Sequence, residues 1–257
     1  MRYETILYDV NDGVARITIN QPESKNRLSN TVLKEIVHAA RSADEDAHAR
    51  VLIISGAGGD AFCAGADLKG IQHDSVLKSN ADLDHYAELC LTFHRLRTPS
   101  IAMIRGYALA GGCGLAMLPT FSIASEKSRL GTPEINVGMW PMMVMAILFR
   151  TVGRKKGLDL ICTGAIIDAR EAERIGMITK AVPDEHLESS VAELADILKS
   201  KSGPVLGLGL EAFQHSGDME FEKAVAYLKN MAVVLTNTSD SKEGTKAFVE
   251  KRKPVWS

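Results

Sequence analysis

Gly106-Tyr-Ala-Leu-Ala-Gly-Gly-Cys-Gly114 follows the apolar, strand-like run Ser100 to Ile104 and leads into the helix-like stretch Leu115 to Leu118. Glycines between a strand and a helix N-terminus leave backbone N–H groups uncovered. The helix dipole adds positive potential there, so the stretch is suited to negative charge. A second small-residue stretch, Phe62-Cys-Ala-Gly-Ala-Asp-Leu68, lies downstream of another apolar strand, Val51 to Ile54. Two such loops can present two N–H donors to one oxygen, which is an oxyanion hole. The same glycines also suit two tight turns that need unusual backbone angles, and the residues leave both readings open.

Outward from this pair of junctions the chain repeats itself. Asn11-Asp12-Gly13 separates the β-prone runs Thr5 to Tyr8 and Val14 to Ile19 and predicts a hairpin. Ser29 can cap a helix whose Leu33, Ile36, Val37 and Ala40 form one apolar stripe. A helical pattern over Ala81 to Leu96 lies between the two strand-to-glycine junctions, and the polar stretch Gln72 to Asp82 reads as a loop, either a lid or a surface connection. Thr120 to Ala124 and Met177 to Val182 are further short strands, each followed by a helical segment. Repeated ββα units are the architecture these patterns predict. Asp168-Ala-Arg-Glu171 matches a capping box, with Gly176 as the helix stop. Beyond Glu185 the pattern is helical (Leu187 to Leu198, Phe221 to Leu235, Lys242 to Arg252), and Val225, Leu228, Val233, Val234 and Leu235 exceed what one short helix needs against its own core.

With 257 residues and 46% apolar composition the chain can bury a sizeable core. Its 30 basic and 32 acidic residues, net charge -2, argue against a broad basic face for nucleic acid or anionic membrane. The start Met1-Arg-Tyr-Glu-Thr5 has no apolar signal core, and the longest apolar run, Val137 to Phe149, is too short to span a bilayer; a cytoplasmic location is expected. Cys63, Cys90, Cys113 and Cys162 form no C-x-x-C pair, which suggests neither a zinc site nor a disulfide framework. Cys63 and Cys113 stand in the two glycine loops, as small hydrophobes or as nucleophiles.

Gly56-Ala-Gly-Gly-Asp-Ala61 matches a dinucleotide fingerprint, but neither the helix nor the downstream acid that such a site needs follows it. Glu134, after Pro133, begins an otherwise uncharged run to Phe149 that includes Trp140, Met142, Met143 and Met145. Apolar surroundings raise a carboxylate's pKa toward the range of proton transfer at neutral pH, whereas a helix-dipole carboxylate is the structural alternative.

Asn20 to Asn26, Ala61 to Leu68, Gly106 to Met117, Pro133-Glu-Ile-x-x-Gly138, the capping segment with Gly176, and Ala247-Phe-Val-Glu-Lys-Arg252 resemble, in order, motifs of the crotonase (enoyl-CoA hydratase/isomerase) superfamily. The resemblance implies an α/β spiral of repeated ββα units (residues 1–195) with a C-terminal α-helical trimerisation region (residues 196–257), assembled as a homotrimer or dimer of trimers. It implies an acyl-CoA thioester as substrate, no cofactor beyond that coenzyme A, and no metal. By matching position, the N–H groups of Ala66 and Gly111 would hold the thioester oxygen and Glu134 would be the general acid/base. Lys25, Arg27, Leu28, Ala64, Ala66, Asp67, Leu68 and Lys69 would line the CoA channel, with Lys251 reaching the phosphates from a neighbouring subunit. Gly114, Trp140, Met142 and Met143 would line the acyl pocket.

Hydratases of this group resemble one another in two glutamates, one at the position of Gly114 and one at Glu134, and this chain has only the second. Moving a double bond from the 3,4 to the 2,3 position needs one group that takes a proton from the α-carbon and returns it at the γ-carbon, so isomerisation is the expected activity. Hydration with one glutamate is the alternative. A non-catalytic interaction or RNA-binding role is a further one, opposed by the charge balance and by both donor loops.

Overall fold

The computed structural model describes residues 2–66 and 76–257, of which 76–82 are described by their backbone alone. β1 (Ile6–Asn11) and β2 (Val14–Ile19) form the expected antiparallel hairpin. Asp12 and Gly13 both take positive φ, 48° and 75°, as the twist of a two-residue hairpin turn demands. The Ser29 side chain accepts the Val32 N–H and starts α1 (Asn30–Glu45), whose Val32, Leu33, Ile36, Val37 and Ala40 are buried.

From there one unit recurs: β3 (Val51–Gly56), β4 (Ala61–Cys63) and α2 (Val76–Arg95); then β5 (Ser100–Ile104), β6 (Tyr107–Leu109) and α3 (Gly111–Met117). Next come β7 (Phe121–Ser125), β8 (Arg129–Gly131), a 3-10 turn over Pro133–Val137, α4 (Met142–Thr151) and α5 (Arg154–Thr163). The first strand of each unit enters a six-stranded sheet of order β1-β2-β3-β5-β7-β10, where β10 is Lys180–Val182. The second strand enters a four-stranded sheet of order β4-β6-β8-β9, where β9 is Ile166–Asp168. β2, β3, β5, β7 and β10 run parallel, as do β4, β6 and β8.

The continuous apolar run of β3 is explained by burial on both faces. Leu52 and Ile54 pack in the main core with α1, α2 and α3, while Val51 and Ile53 pack with Leu187, Val191, Ala195 and Leu198 of α7 (Leu187–Lys199). Each such aliphatic side chain contributes about 1.5–3 kcal/mol when fully buried. Asp168 accepts the Glu171 N–H and opens α6 (Ala169–Arg174), and Gly176 follows at φ 80°.

Two expectations are corrected and one sheet is added. α2 begins at Val76, so the helix expected from Ala81 starts earlier, and the part of the expected loop from 76 to 82 is helical; residues 72–75 of that loop lie outside the described residues. The helix expected from Leu115 begins at Gly111, and its glycines are there for packing: a Cβ on Gly112 would strike the Cys63 carbonyl and one on Gly114 the Tyr86 hydroxyl. The four-stranded sheet was not foreseen, since strands of three residues offer too little alternation to register as strands.

α7 is followed by α8 (Gly203–Ser216), α9 (Phe221–Thr236) and α10 (Ser239–Val249), of which α8 gave no periodic signal. The boundary placed at 195/196 falls inside α7, and Leu198 beyond it packs on the large sheet. α9 has no buried residue in the single chain, and Phe221 is 82% exposed. Val225, Leu228, Val233 and Val234 are exposed on the same helix. Among the described residues no helix is long and apolar enough to cross a membrane.

Candidate active site

The parallel strands β4, β6 and β8 end side by side, with Cys63 paired to Ala108 and Leu109 to Gly131. Within three residues of those ends the chain supplies Ala66, Gly111 and Glu134 in turn. The three expected site residues therefore follow neighbouring strands off the carboxyl edge of one small sheet, where open parallel sheets commonly bind ligands.

The two donor loops touch through glycines. A Cβ on Gly112 would lie 2.1 Å from the Cys63 carbonyl oxygen, and one on Gly65 would lie 2.8 Å from the Leu109 carbonyl oxygen and 3.3 Å from Gly111 N. Gly65 itself has φ 86°. Among the described residues the N–H groups of Ala66 and Gly111 have no hydrogen-bond acceptor. Ala110, which precedes the Gly111 donor, is held at φ 53°, ψ -127°, a conformation nearly reserved for glycine, and its own N–H is tied to the Gly131 carbonyl at 2.9 Å. Strain of this kind costs about 1–3 kcal/mol and persists only where surrounding contacts enforce it.

Glu134 lies in the 3-10 turn that follows Thr132 and Pro133. Its Oε2 is buried and accepts no hydrogen bond, and burial raises its pKa above the usual carboxylate range, against a smaller opposing effect of its own backbone N–H. Thr132 Oγ1, two residues earlier, is likewise buried without a partner. Burial pushes the Cys63 and Cys113 thiols up to about 12, so neither is a thiolate near neutral pH and the nucleophile reading loses its support.

The residues expected along a CoA channel are partly gathered. Ala64 N–H donates to the Lys25 carbonyl, Leu28 N–H to the Gly65 carbonyl, and Leu28 bridges to Ala66. Arg27 Nε donates to the Ser24 carbonyl at 3.1 Å. Asp67, Leu68 and Lys69 lie outside the described residues. Sequence reasoning gave no role to Asn26, which is fully buried: its Nδ2 donates to the carbonyls of Ala57 and Ala61, and its Oδ1 accepts the Gln21 N–H. It ties the Lys25 to Leu28 segment to the start of the Cys63 loop. Lys251 is exposed in a left-handed turn at φ 55° after α10, which packs on α8 and α9.

Around Gly114 the neighbours are Tyr86 Oη, Val144 Cγ2 and Ile147 Cδ1, at 2.1, 3.2 and 3.5 Å from where a Cβ would stand. Of the expected pocket residues, Trp140 and Met143 are half-buried against the core and Met142 is 66% exposed. Tyr86, Val144 and Ile147 were not singled out in the sequence, because a helical aromatic or aliphatic residue reads as ordinary core. Gly56 to Ala61, the dinucleotide-like stretch, is a strand-to-strand turn with Gly58 and Gly59 at positive φ, and opens no helix.

The sequence pattern of the enoyl-CoA hydratase/isomerase family matches residues 9–257. The chain belongs to that family. It is similar to the probable enoyl-CoA hydratase echA8 of Mycobacterium bovis, 36% identical over 261 residues covering 100% of this chain and 99% of that protein. It is also similar to the mitochondrial enoyl-CoA hydratase domain-containing protein 3 of Mus musculus, 34% identical over 96% of this chain and 82% of that protein. Among solved structures, human enoyl coenzyme A hydratase domain-containing protein 3 superposes with TM-score 0.94 at 30% identity, over 98% of this chain and 100% of that one. An enoyl-CoA hydratase of Mycobacterium smegmatis gives 0.95 at 28% identity, over 98% and 99%. This member of the enoyl-CoA hydratase/isomerase family thus has the crotonase fold expected from its motifs.

Proposed function

We propose that this enzyme isomerises the double bond of an enoyl-CoA through an enolate held by the N–H groups of Ala66 and Gly111, with Glu134 as the one general acid/base. The observation that carries the proposal is Glu134 Oε2, buried and without a partner, on the segment that leaves β8 at the sheet edge where the loops with the unused Ala66 and Gly111 N–H groups leave β4 and β6. Abstraction of the α-proton puts negative charge on the thioester oxygen, and each preorganised donor aimed at that charge contributes about 3–4 kcal/mol to the transition state. A carboxyl with a raised pKa is a weak enough acid to take the proton and a strong enough one to return it at the γ-carbon. Lys25, Arg27, Leu28, Ala64 and Lys69 are assigned to the CoA channel with Asp67 and Leu68, and Trp140 with Met142 and Met143 to the acyl side. No metal or further cofactor enters these steps. A cytoplasmic location remains part of the proposal, beside relatives whose names place them in mitochondria.

The names of its relatives favour a second reading, hydration of a 2-enoyl-CoA with one glutamate. Supplying a 3-enoyl-CoA and a 2-enoyl-CoA separately and following the conjugated-thioester absorbance decides between them. Isomerisation makes the chromophore appear from the first substrate. Fast loss of the chromophore from the second, with no turnover of the first, overturns the isomerase reading.

We also propose a homotrimer or dimer of trimers built through α8 to α10, with Lys251 reaching the CoA phosphates of a neighbouring protomer. The uncovered apolar face of α9 supports assembly, and closed symmetry is the usual outcome for such a face. Light scattering at micromolar concentration is expected to give three or six chains per particle; a stable monomer removes both assignments.

A further inference from the structure

Tyr86 is buried in α2 and touches both glycines on which the α3 end of the site depends. Its hydroxyl donates to the Gly111 carbonyl at 2.8 Å. Its ring faces the side-chain position of Gly111, with Cε2 3.2 Å and Cζ 3.7 Å from where a Cβ would stand. The same hydroxyl is 2.1 Å from the Cβ position of Gly114, closer than any side-chain carbon can come. A phenylalanine would fill this part of the core equally well, so packing alone gives the hydroxyl no reason to be there. Burial pushes the phenol pKa well above its usual value, with Cys90, Cys63, Cys113 and Glu134 adding to the rise, so it stays a neutral donor over the working range.

We propose that Tyr86 is a positioning and specificity-determining residue of this site: it clamps the Gly111 peptide from the side opposite Ala110, and its hydroxyl fills the space over Gly114, leaving no room there for a carboxyl to join Glu134. The proposal rests on the reading of Glu134 and Gly111 given above. It accounts for two facts together. The strained Ala110 must be held from outside, and Tyr86 fixes the residue that follows it. Gly114 must lack a side chain, because the phenol oxygen occupies the position one would take.

The test is a cycle of Tyr86→Phe, Gly114→Ala and the double variant in the full-length protein, read by turnover of the two enoyl-CoA substrates and by thermal melting. Tyr86→Phe keeps the ring, so the fold and KM should change little while kcat falls roughly 10- to 100-fold, as a donor displaced by a fraction of an ångström implies. Gly114→Ala should melt below the parent, and adding Tyr86→Phe should recover most of that loss, because the atom that would be struck is gone. Wild-type kcat and an unchanged ratio of isomerisation to hydration in Tyr86→Phe, while Glu134→Gln is inactive, would overturn the positioning role alone. If both variants are fully active, the reading of Glu134 fails first and this inference with it. Melting losses that simply add in the double variant would overturn the placement of the hydroxyl over Gly114 without any appeal to turnover.

Discussion

Glu134→Gln is expected to lower kcat on an enoyl-CoA by roughly 10²- to 10⁴-fold, the range that a general acid/base supplies, while KM changes little. The amide keeps the shape of the side chain but can neither take nor return a proton. The same change should raise thermal stability at neutral pH. Burial raises the Glu134 pKa in the folded protein, so the fold favours the protonated form, and that contribution is complete below the unfolded carboxylate pKa. It is lost as pH rises through the folded value, because an ionised oxygen with no partner is then held away from water. Glutamine has no charge at any pH, so the variant's advantage in melting temperature should vanish as pH falls toward the acid side and be largest near neutrality. Loss of activity joined to a gain in stability separates a catalytic carboxyl from a structural one. An unimpaired Glu134→Gln enzyme sinks the mechanism.

Gly112→Ala is the second large effect. The added Cβ would stand 2.1 Å from the Cys63 carbonyl oxygen and 2.7 Å from its carbon, both backbone atoms at the end of β4 that no rotamer change can move. Relief requires the two donor loops to part by about 1 Å, a misplacement that can cost on the order of 10²-fold in rate. Overpacking a tight contact destabilises by about 1–3 kcal/mol. The loss should appear in kcat, because Ala66 and Gly111 would no longer converge on the oxygen they are proposed to share, and a urea titration should show the lower midpoint. A variant that melts lower but turns over at the parent's kcat would show that loop spacing does not set the oxyanion donors.

The repeating ββα plan, the Asp12-Gly13 hairpin, the Ser29 and Asp168 helix caps and the glycine junctions were legible in the chain. Each depends on short-range chemistry: residues that accept positive φ, side chains that reach a helix's first N–H groups, and apolar runs of strand length. Glu134 was legible as a charged residue heading an uncharged stretch. The same local rules failed where a distant segment decides the outcome. α3 starts on glycines that read as helix breakers, because Cys63 and Tyr86 press on its first turn, and residues 76–82 read as a polar loop although they begin α2. The strands of the small sheet are too short to be seen until β4, β6 and β8 pair.

The sequence by itself determined the repeating ββα plan, which residue types stand at the candidate site, and that one glutamate is present where hydratases of the group carry two. Only the tertiary structure decided that Ala66, Gly111 and Glu134 leave neighbouring parallel strands at one edge, and that Tyr86, from a helix 25 residues before Gly111, fills the space above Gly114. The reason is physical. Caps, turns and apolar periods act over a few residues, whereas unsatisfied N–H groups, a buried unpaired oxygen and a missing Cβ have meaning only when the segments facing them are in place.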